Sequence, residues 1–321
     1  MFNWGFIGYG SIAVSVAKQL KGSDNRIVAV YGRNTGKAEK FAKKYHAKTY
    51  QDIESFLNDE EIDGVYIATP NDSHAYYCEK CIEHHLPVLC EKPFAVNYEE
   101  AKKVIDLAKK EDVYITEAMW TWHNEVTLKV KEWIDEGKIG DIQNIKGSYA
   151  FPMADKKDTT SRLISPDRAG GCLLDIGIYP IRYVYGMFGM PDKIEANGRL
   201  YNGVDIEETI FMDYGSFKAE LLVSFDTFKG EKMYIEGKQG SIDIPLFHMA
   251  DKAVLKTDKK EKAKGGKFGL CAYREEFDHM AQDIAEGRKE SPYVPLNTTL
   301  DTMKMLDEIR RQLGVDYPME K

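Results

Sequence analysis

Short contiguous apolar runs alternate with segments of helical period through the first third of the chain. Asn3 to Gly8 is an apolar run that stops at glycines, and residues 11–21 follow with Ile12, Val16 and Leu20 four apart. Ile27, Val28, Ala29 and Val30 are contiguous within Arg26 to Tyr31, the pattern of a parallel strand buried on both faces. The same reading predicts helices over 35–45, 73–85 and 97–110, and strands over 63–68, 87–91 and 113–117. Strand alternating with helix in this way predicts a doubly wound parallel sheet.

The pattern then changes. A helix over 124–136 leads into an extended segment from Asp141 to Phe151. Phe217, Ala219, Leu221, Val223 and Phe225 alternate with Lys218, Glu220, Leu222, Ser224 and Asp226. That period of two predicts an antiparallel strand with one more polar face. Further strands are predicted near 193–201, 206–214, 231–236 and 241–244, and helices over 273–286 and 298–313 close the chain. The lysine-rich stretch 256–267 reads as a solvated hairpin loop, with an active-site flap as the alternative. Two domains are expected, at 1–120 and 121–321, and 321 residues suffice for two cores.

Charge and cysteine content narrow the function. Acidic residues outnumber basic ones, 52 to 44, for a net charge of −8, which argues against nucleic acid as a partner. No apolar run reaches the length of a membrane span, and five cysteines in a chain this long do not suggest a disulfide framework. A cytoplasmic protein is expected. Cys78 and Cys81 have metal-ligand spacing but lie within a predicted helix without a second pair, so no metal site is assigned.

Three segments carry chemistry. Gly8-Tyr9-Gly10-Ser11-Ile12-Ala13 fits G-x-G-x-x-G/A between a predicted strand and a predicted helix. Gly8 permits a tight turn, Gly10 lets a pyrophosphate approach, and Ala13 allows close helix–strand packing. The N–H groups of Ser11 and Ile12 open the helix toward the phosphates. Where a ribose 2′-hydroxyl would need an acidic residue, Arg33 stands instead, with Gly32 leaving room and Lys37 one turn on. This favours NADP over NAD. Thr69-Pro70-Asn71 with His74, and Glu91-Lys92-Pro93, each follow a predicted strand, at the sheet end where ligands bind. If residues 173–180 are helical, Asp175 and Tyr179 project from one face, with Pro180 kinking it. Taken alone, each of these residues also has a plain structural reading: a surface lysine, a helix-terminal carboxylate, a core tyrosine.

Together the segments resemble the Gfo/Idh/MocA family, in order and over nearly the whole chain. Gly5 to Ala13 resembles its opening, residues 67–74 its A-T-P-N-x-x-H turn, and Glu91-Lys92-Pro93 its E-K-P motif. Asp175-Ile176-Gly177-Ile178-Tyr179 resembles its D-x-G-x-H with tyrosine last, as in the glucose–fructose oxidoreductase and dihydrodiol dehydrogenase branch. Thr116 to Thr121 also resembles that branch, but Trp122-His123 replaces its usual arginine and aromatic pair. The resemblance implies an N-terminal Rossmann domain and a C-terminal α+β domain whose large, mostly antiparallel open sheet joins subunits into a homodimer or larger oligomer. It implies hydride transfer between a nicotinamide and a small neutral sugar, polyol or diol. Lys92, Tyr179 and Asp175 would be catalytic, and Trp120 would join the motif residues at the cofactor. Trp122 offers an apolar face suited to stacking on a sugar, or else packs in the core. The alternative function is a non-catalytic dinucleotide-sensing regulator of the same fold.

Overall fold

The computed structural model describes residues 1–265 and 272–320, in two compact units. The first comprises Met1–Met119 and Tyr273–Leu300, the second Trp120–Ala272 and Asp301–Lys321. A single cut after residue 120 therefore misses an excursion. The penultimate helix returns to the first unit because Phe277 and Met280 are buried in the core formed by Trp4, Phe6 and Tyr66.

The first unit alternates β1 (Phe2–Ile7), α1 (Ser11–Gln19), β2 (Asn25–Tyr31), α2 (Thr35–Lys43), β3 (Lys48–Tyr50) and α3 (Ile53–Leu57). It continues with β4 (Gly64–Ile67), α4 (His74–Glu83), β5 (Val88–Glu91), α5 (Tyr98–Lys110) and β6 (Ile115–Ala118). All six strands are parallel, in the order β3-β2-β1-β4-β5-β6. This is the doubly wound Rossmann arrangement. β4, β5 and β6 are buried at every position, which fits their largely apolar composition and makes Glu91, Thr116 and Glu117 buried polar residues. Helix α5 shows why such a segment folds locally. Asn97 caps it by accepting from the Glu100 amide, Glu99 and Glu100 occupy its first turn, and Lys109 and Lys110 its last.

The second unit contains α6 (Glu125–Asp135), β7 (Ile142–Ala150), α7 (Ile178–Phe188), β8 (Lys193–Tyr201), β9 (Val204–Asp213) and β10 (Lys218–Ser224). β11 (Gly230–Gly237), β12 (Gly240–Pro245), β13 (Lys252–Lys256) and β14 (Lys260–Lys264) follow. The chain ends in α8 (Tyr273–Ala285), in the first unit, and α9 (Leu296–Leu313), which the partition divides. The eight strands β7–β14 form one sheet in the order β14-β13-β12-β11-β7-β10-β9-β8. It is antiparallel except where β10 runs parallel to β7. The strand of strict alternation is thus antiparallel to β9 only.

The lysine-rich stretch is a hairpin rather than a loop or flap: its residues 260–264 are edge strand β14, turned by residues 257–259. Lysines on a sheet edge discourage pairing with another chain. Residues 266–267 of that stretch lie outside the described residues. Among the described residues, no helix is long and apolar enough to cross a membrane.

Candidate functional site

In the first unit, the glycine turn has the shape its sequence implies. Gly8 sits at φ +100°, and a Cβ there would lie 2.5 Å from the Ala68 carbonyl oxygen. Gly10 is the N-cap of α1 and makes no side-chain cap bond, while a Cβ on it would meet nothing within 4 Å. The helix therefore opens with uncapped N–H groups toward open space, a cradle that fits a phosphate. Ala13 is fully buried against the sheet. The space beside Gly32 does not serve a 2′-phosphate as expected: a Cβ there would meet the Tyr9 ring at 2.3 Å. Tyr9 closes over this turn, its hydroxyl donating to the Asn34 carbonyl at 2.9 Å and accepting from the Asn34 amide at 2.8 Å. Arg33 and Lys37 remain exposed beside it.

The two motif turns after β4 and β5 are fastened to each other. One ring nitrogen of His74 lies 2.8 Å from the Pro93 carbonyl oxygen and the other 2.9 Å from that of Thr69. His74 is 1% exposed, and burial pushes its imidazole below the usual value. Its side chain ties one turn to the other. Thr69, Pro70 and Asn71 stay half-buried. Lys92, also half-buried, is held through its neighbours on both sides. Before it, the Tyr66 hydroxyl donates to Glu91 at 2.5 Å; after it, the Phe94 amide donates to buried Glu117 at 3.1 Å. Burial raises the Glu91 carboxyl to about 7, against the opposing pull of Tyr66 and Lys92.

In the second unit, residues 173–177 form a π-helical turn and α7 begins only at Ile178. Gly177 and Ile178 are both helical, so the π-helical turn runs straight into α7, and Pro180, lacking an N–H, cannot bond back to the preceding turn. Asp205 anchors the turn by accepting from the Leu173 amide at 2.6 Å. Asp175 lies in this turn, with Arg162 3.3 Å from its carboxylate. Tyr179 is 6% exposed, and its oxygen accepts from the Trp120 indole N–H at 2.9 Å.

Around this pair the fold assembles residues that the sequence did not single out. The His248 ring lies 5.0 Å from that of Tyr179, 5.2 Å from Trp120 and 4.8 Å from Tyr149. Buried Glu231 accepts from both the His248 amide and Nδ1, at 2.8 and 2.6 Å. No local motif announces this group, because Tyr149 and His248 are 99 residues apart. Trp122 is core packing, not a stacking platform: it is buried against α7, and a Cβ on Gly186 would lie 1.9 Å from its ring.

Each unit thus brings together its own set. Gly8, Gly10, Thr69, Glu91 and Lys92 belong to the first, and Trp120, Asp175 and Tyr179 to the second.

Residues 2–119 match the model of an oxidoreductase family with an NAD-binding Rossmann fold, designated GFO/IDH/MocA, and residues 127–243 match that family's C-terminal domain. The chain is 30% identical to the trans-1,2-dihydrobenzene-1,2-diol dehydrogenase of Mus musculus, over 99% of this chain and 98% of the relative. It is also 30% identical to the scyllo-inositol 2-dehydrogenase (NADP(+)) IolU of Bacillus subtilis, over 93% and 92% of the two chains. Among solved structures, an aldose–aldose oxidoreductase from Caulobacter crescentus, complexed with glycerol, superposes with a TM-score of 0.87 at 17% identity, over 98% of this chain and 97% of that one.

Proposed function

We propose, from the premise that the chain belongs to the Gfo/Idh/MocA oxidoreductase family, that it is an NAD(P)-dependent dehydrogenase of a small neutral sugar, polyol or diol. The relatives named for a diol and for an inositol with NADP(+) support that substrate class and an NADP preference. The observation that carries the reading is the fixed setting of Lys92, held through Tyr66, His74 and Glu117 at the end of β5.

The glycine turn would hold the dinucleotide pyrophosphate through the amides of Gly10, Ser11 and Ile12. Arg33 and Lys37 would meet the 2′-phosphate, and Thr69, Pro70, Asn71, Glu91 and Trp120 would complete the cofactor contacts. When bound, the cofactor supplies the hydride acceptor. Tyr179, as the phenolate, would take the proton of the reacting hydroxyl while the hydride leaves the carbinol carbon, and the Trp120 N–H on its oxygen supports the negative charge that the phenolate carries before the transfer. Lys92 supplies an ammonium for the same oxygen chemistry, and Asp175 orients the substrate hydroxyl. The protein acts in the cytoplasm as a homodimer or larger oligomer joined through the second unit's sheet, whose β10 carries half-buried Leu222 among exposed Lys218 and Glu220. A 36.6 kDa particle in light scattering at all micromolar concentrations would count against the oligomer.

The test is absorbance at 340 nm with NADP+ or NAD+ and a panel of aldoses, inositols and vicinal diols. Tyr179→Phe and Lys92→Ala should each lower turnover by about 10²–10⁴-fold with cofactor affinity nearly kept. Arg33→Ala should weaken NADP+ about ten- to a hundredfold and NAD+ little. Near-normal turnover by Tyr179→Phe would refute its role.

A further inference from the structure

The group around His248 has a direction built into it. Glu231 Oε1 accepts from His248 Nδ1 at 2.6 Å and from the His248 amide at 2.8 Å, and a carboxylate has no proton to give back. Nδ1 therefore carries a proton, and a ring with that one proton presents a lone pair at Nε2. The Tyr149 hydroxyl lies 3.3 Å from Nε2, within reach to donate to that lone pair. With its only proton committed to the imidazole, any further bond made by the Tyr149 oxygen is one it accepts. The inner members are sealed, with the Glu231 side chain 1% and the His248 side chain 7% exposed, while Tyr149 is half-buried. Tyr179 stands beside the same imidazole, its ring 6.1 Å from that of Tyr149. Two phenols thus flank one ring, each able to address a different hydroxyl of one small molecule.

We infer that Tyr149 is a specificity-determining residue that accepts a hydrogen bond from a second substrate hydroxyl, adjacent to the one handled by Tyr179. Glu231 and His248 are positioning residues that commit Tyr149 to the acceptor role. The inference rests on the reading of this chain as a dehydrogenase of polyhydroxylated substrates, and it explains how such an enzyme distinguishes a vicinal diol from a mono-alcohol.

The experiment compares trans-1,2-cyclohexanediol with cyclohexanol, following NADPH formation and, by calorimetry, binding to the NADP-loaded protein. Wild type favours the diol, and Tyr149→Phe reduces that preference about tenfold, chiefly through KM. Glu231→Leu loses the preference likewise, and Glu231→Gln, which keeps an acceptor oxygen, restores most of it. A Tyr149→Phe enzyme with the wild-type preference overturns the inference and leaves the dehydrogenase reading standing. Diol binding without NADPH formation overturns the dehydrogenase reading, and the inference is then decided by whether Tyr149→Phe weakens that binding. A wild type that neither binds nor oxidises the diol overturns both. Nitrogen-15 NMR of the histidines gives a readout independent of substrate. At pH 8 it should show His248 protonated at Nδ1 alone, and a ring protonated at both nitrogens or at Nε2 alone overturns the inference.

Discussion

Glu91 and Glu231 are buried to nearly the same degree, 8% and 7% exposed, yet their surroundings assign them opposite work. Glu91, in the first unit, receives a hydroxyl from Tyr66 and the field of Lys92, but Glu117, itself 1% exposed, opposes them with a second carboxyl. Burial dominates, and Glu91 titrates at about 7. Glu231, in the second unit, receives two N–H donors on one oxygen, both from His248. The contrast shows that burial alone does not decide what a carboxyl does. Donors do: two N–H groups make an anchor that fixes a neighbour's tautomer, whereas one hydroxyl beside a second acid leaves a group poised to change charge next to Lys92.

The largest expected effect comes from removing the anchor. Glu231→Leu leaves the His248 amide and Nδ1–H without their acceptor in a buried site, and each buried unsatisfied group costs about 1–3 kcal/mol. Urea denaturation should show a stability loss of about 2–6 kcal/mol at pH 7, and a loss under 1 kcal/mol would mean that Glu231 anchors nothing.

Removing the poised acid should do the reverse, and only at high pH. A carboxyl that titrates near 4.5 unfolded and about 7 folded binds more protons in the folded state between those values. Its contribution is therefore fully present below about pH 4.5, is lost as pH rises to about 7, and stays lost above. The difference amounts to about 3 kcal/mol. Glu91→Gln, which still accepts from Tyr66, should leave stability at pH 5 nearly unchanged and raise it at pH 8 by up to that amount. Equal effects at the two pH values would remove the distinction between the two carboxyls.

The same contrast explains what was legible in the sequence. The first unit's chemistry sits in consecutive residues at strand ends, so Gly8, Gly10, Thr69 and Lys92 announce themselves through spacing. Their support does not: Tyr66 and Glu117 reach Glu91 from residues distant in sequence. In the second unit the sheet brings Tyr149, Glu231 and His248 together from β7, β11 and the turn after β12, and no period or motif marks such a meeting. Elements escaped notice where apolar content was thin. β3 has three residues, and β14 buries only Ala263 among lysines and a glutamate. Trp122 and Gly32 misled for a related reason, since an aromatic face and an absent side chain suggest room for a ligand that a neighbouring residue had already filled.

Tyr66→Phe should have the smallest effect, and its sign separates the two carboxyls most finely. The phenyl ring keeps the edge contacts of Tyr66 with Phe6 and Phe277, at 4.9 and 5.1 Å, so the change removes little beyond the hydroxyl. At pH 5 Glu91 is protonated and the lost bond is between neutral groups, a cost of about 0.5–1.5 kcal/mol. At pH 8 the lost bond is to a carboxylate, and the cost rises to about 1.5–3 kcal/mol. Because the hydroxyl favours the ionised form, its removal moves the Glu91 titration further up and steepens the loss of stability with pH. Glu91→Gln flattens that same dependence. Denaturation midpoints of the two variants at pH 5 and pH 8 should therefore diverge in opposite directions from wild type. Parallel shifts would show that Tyr66 packs against Glu91 without governing its charge.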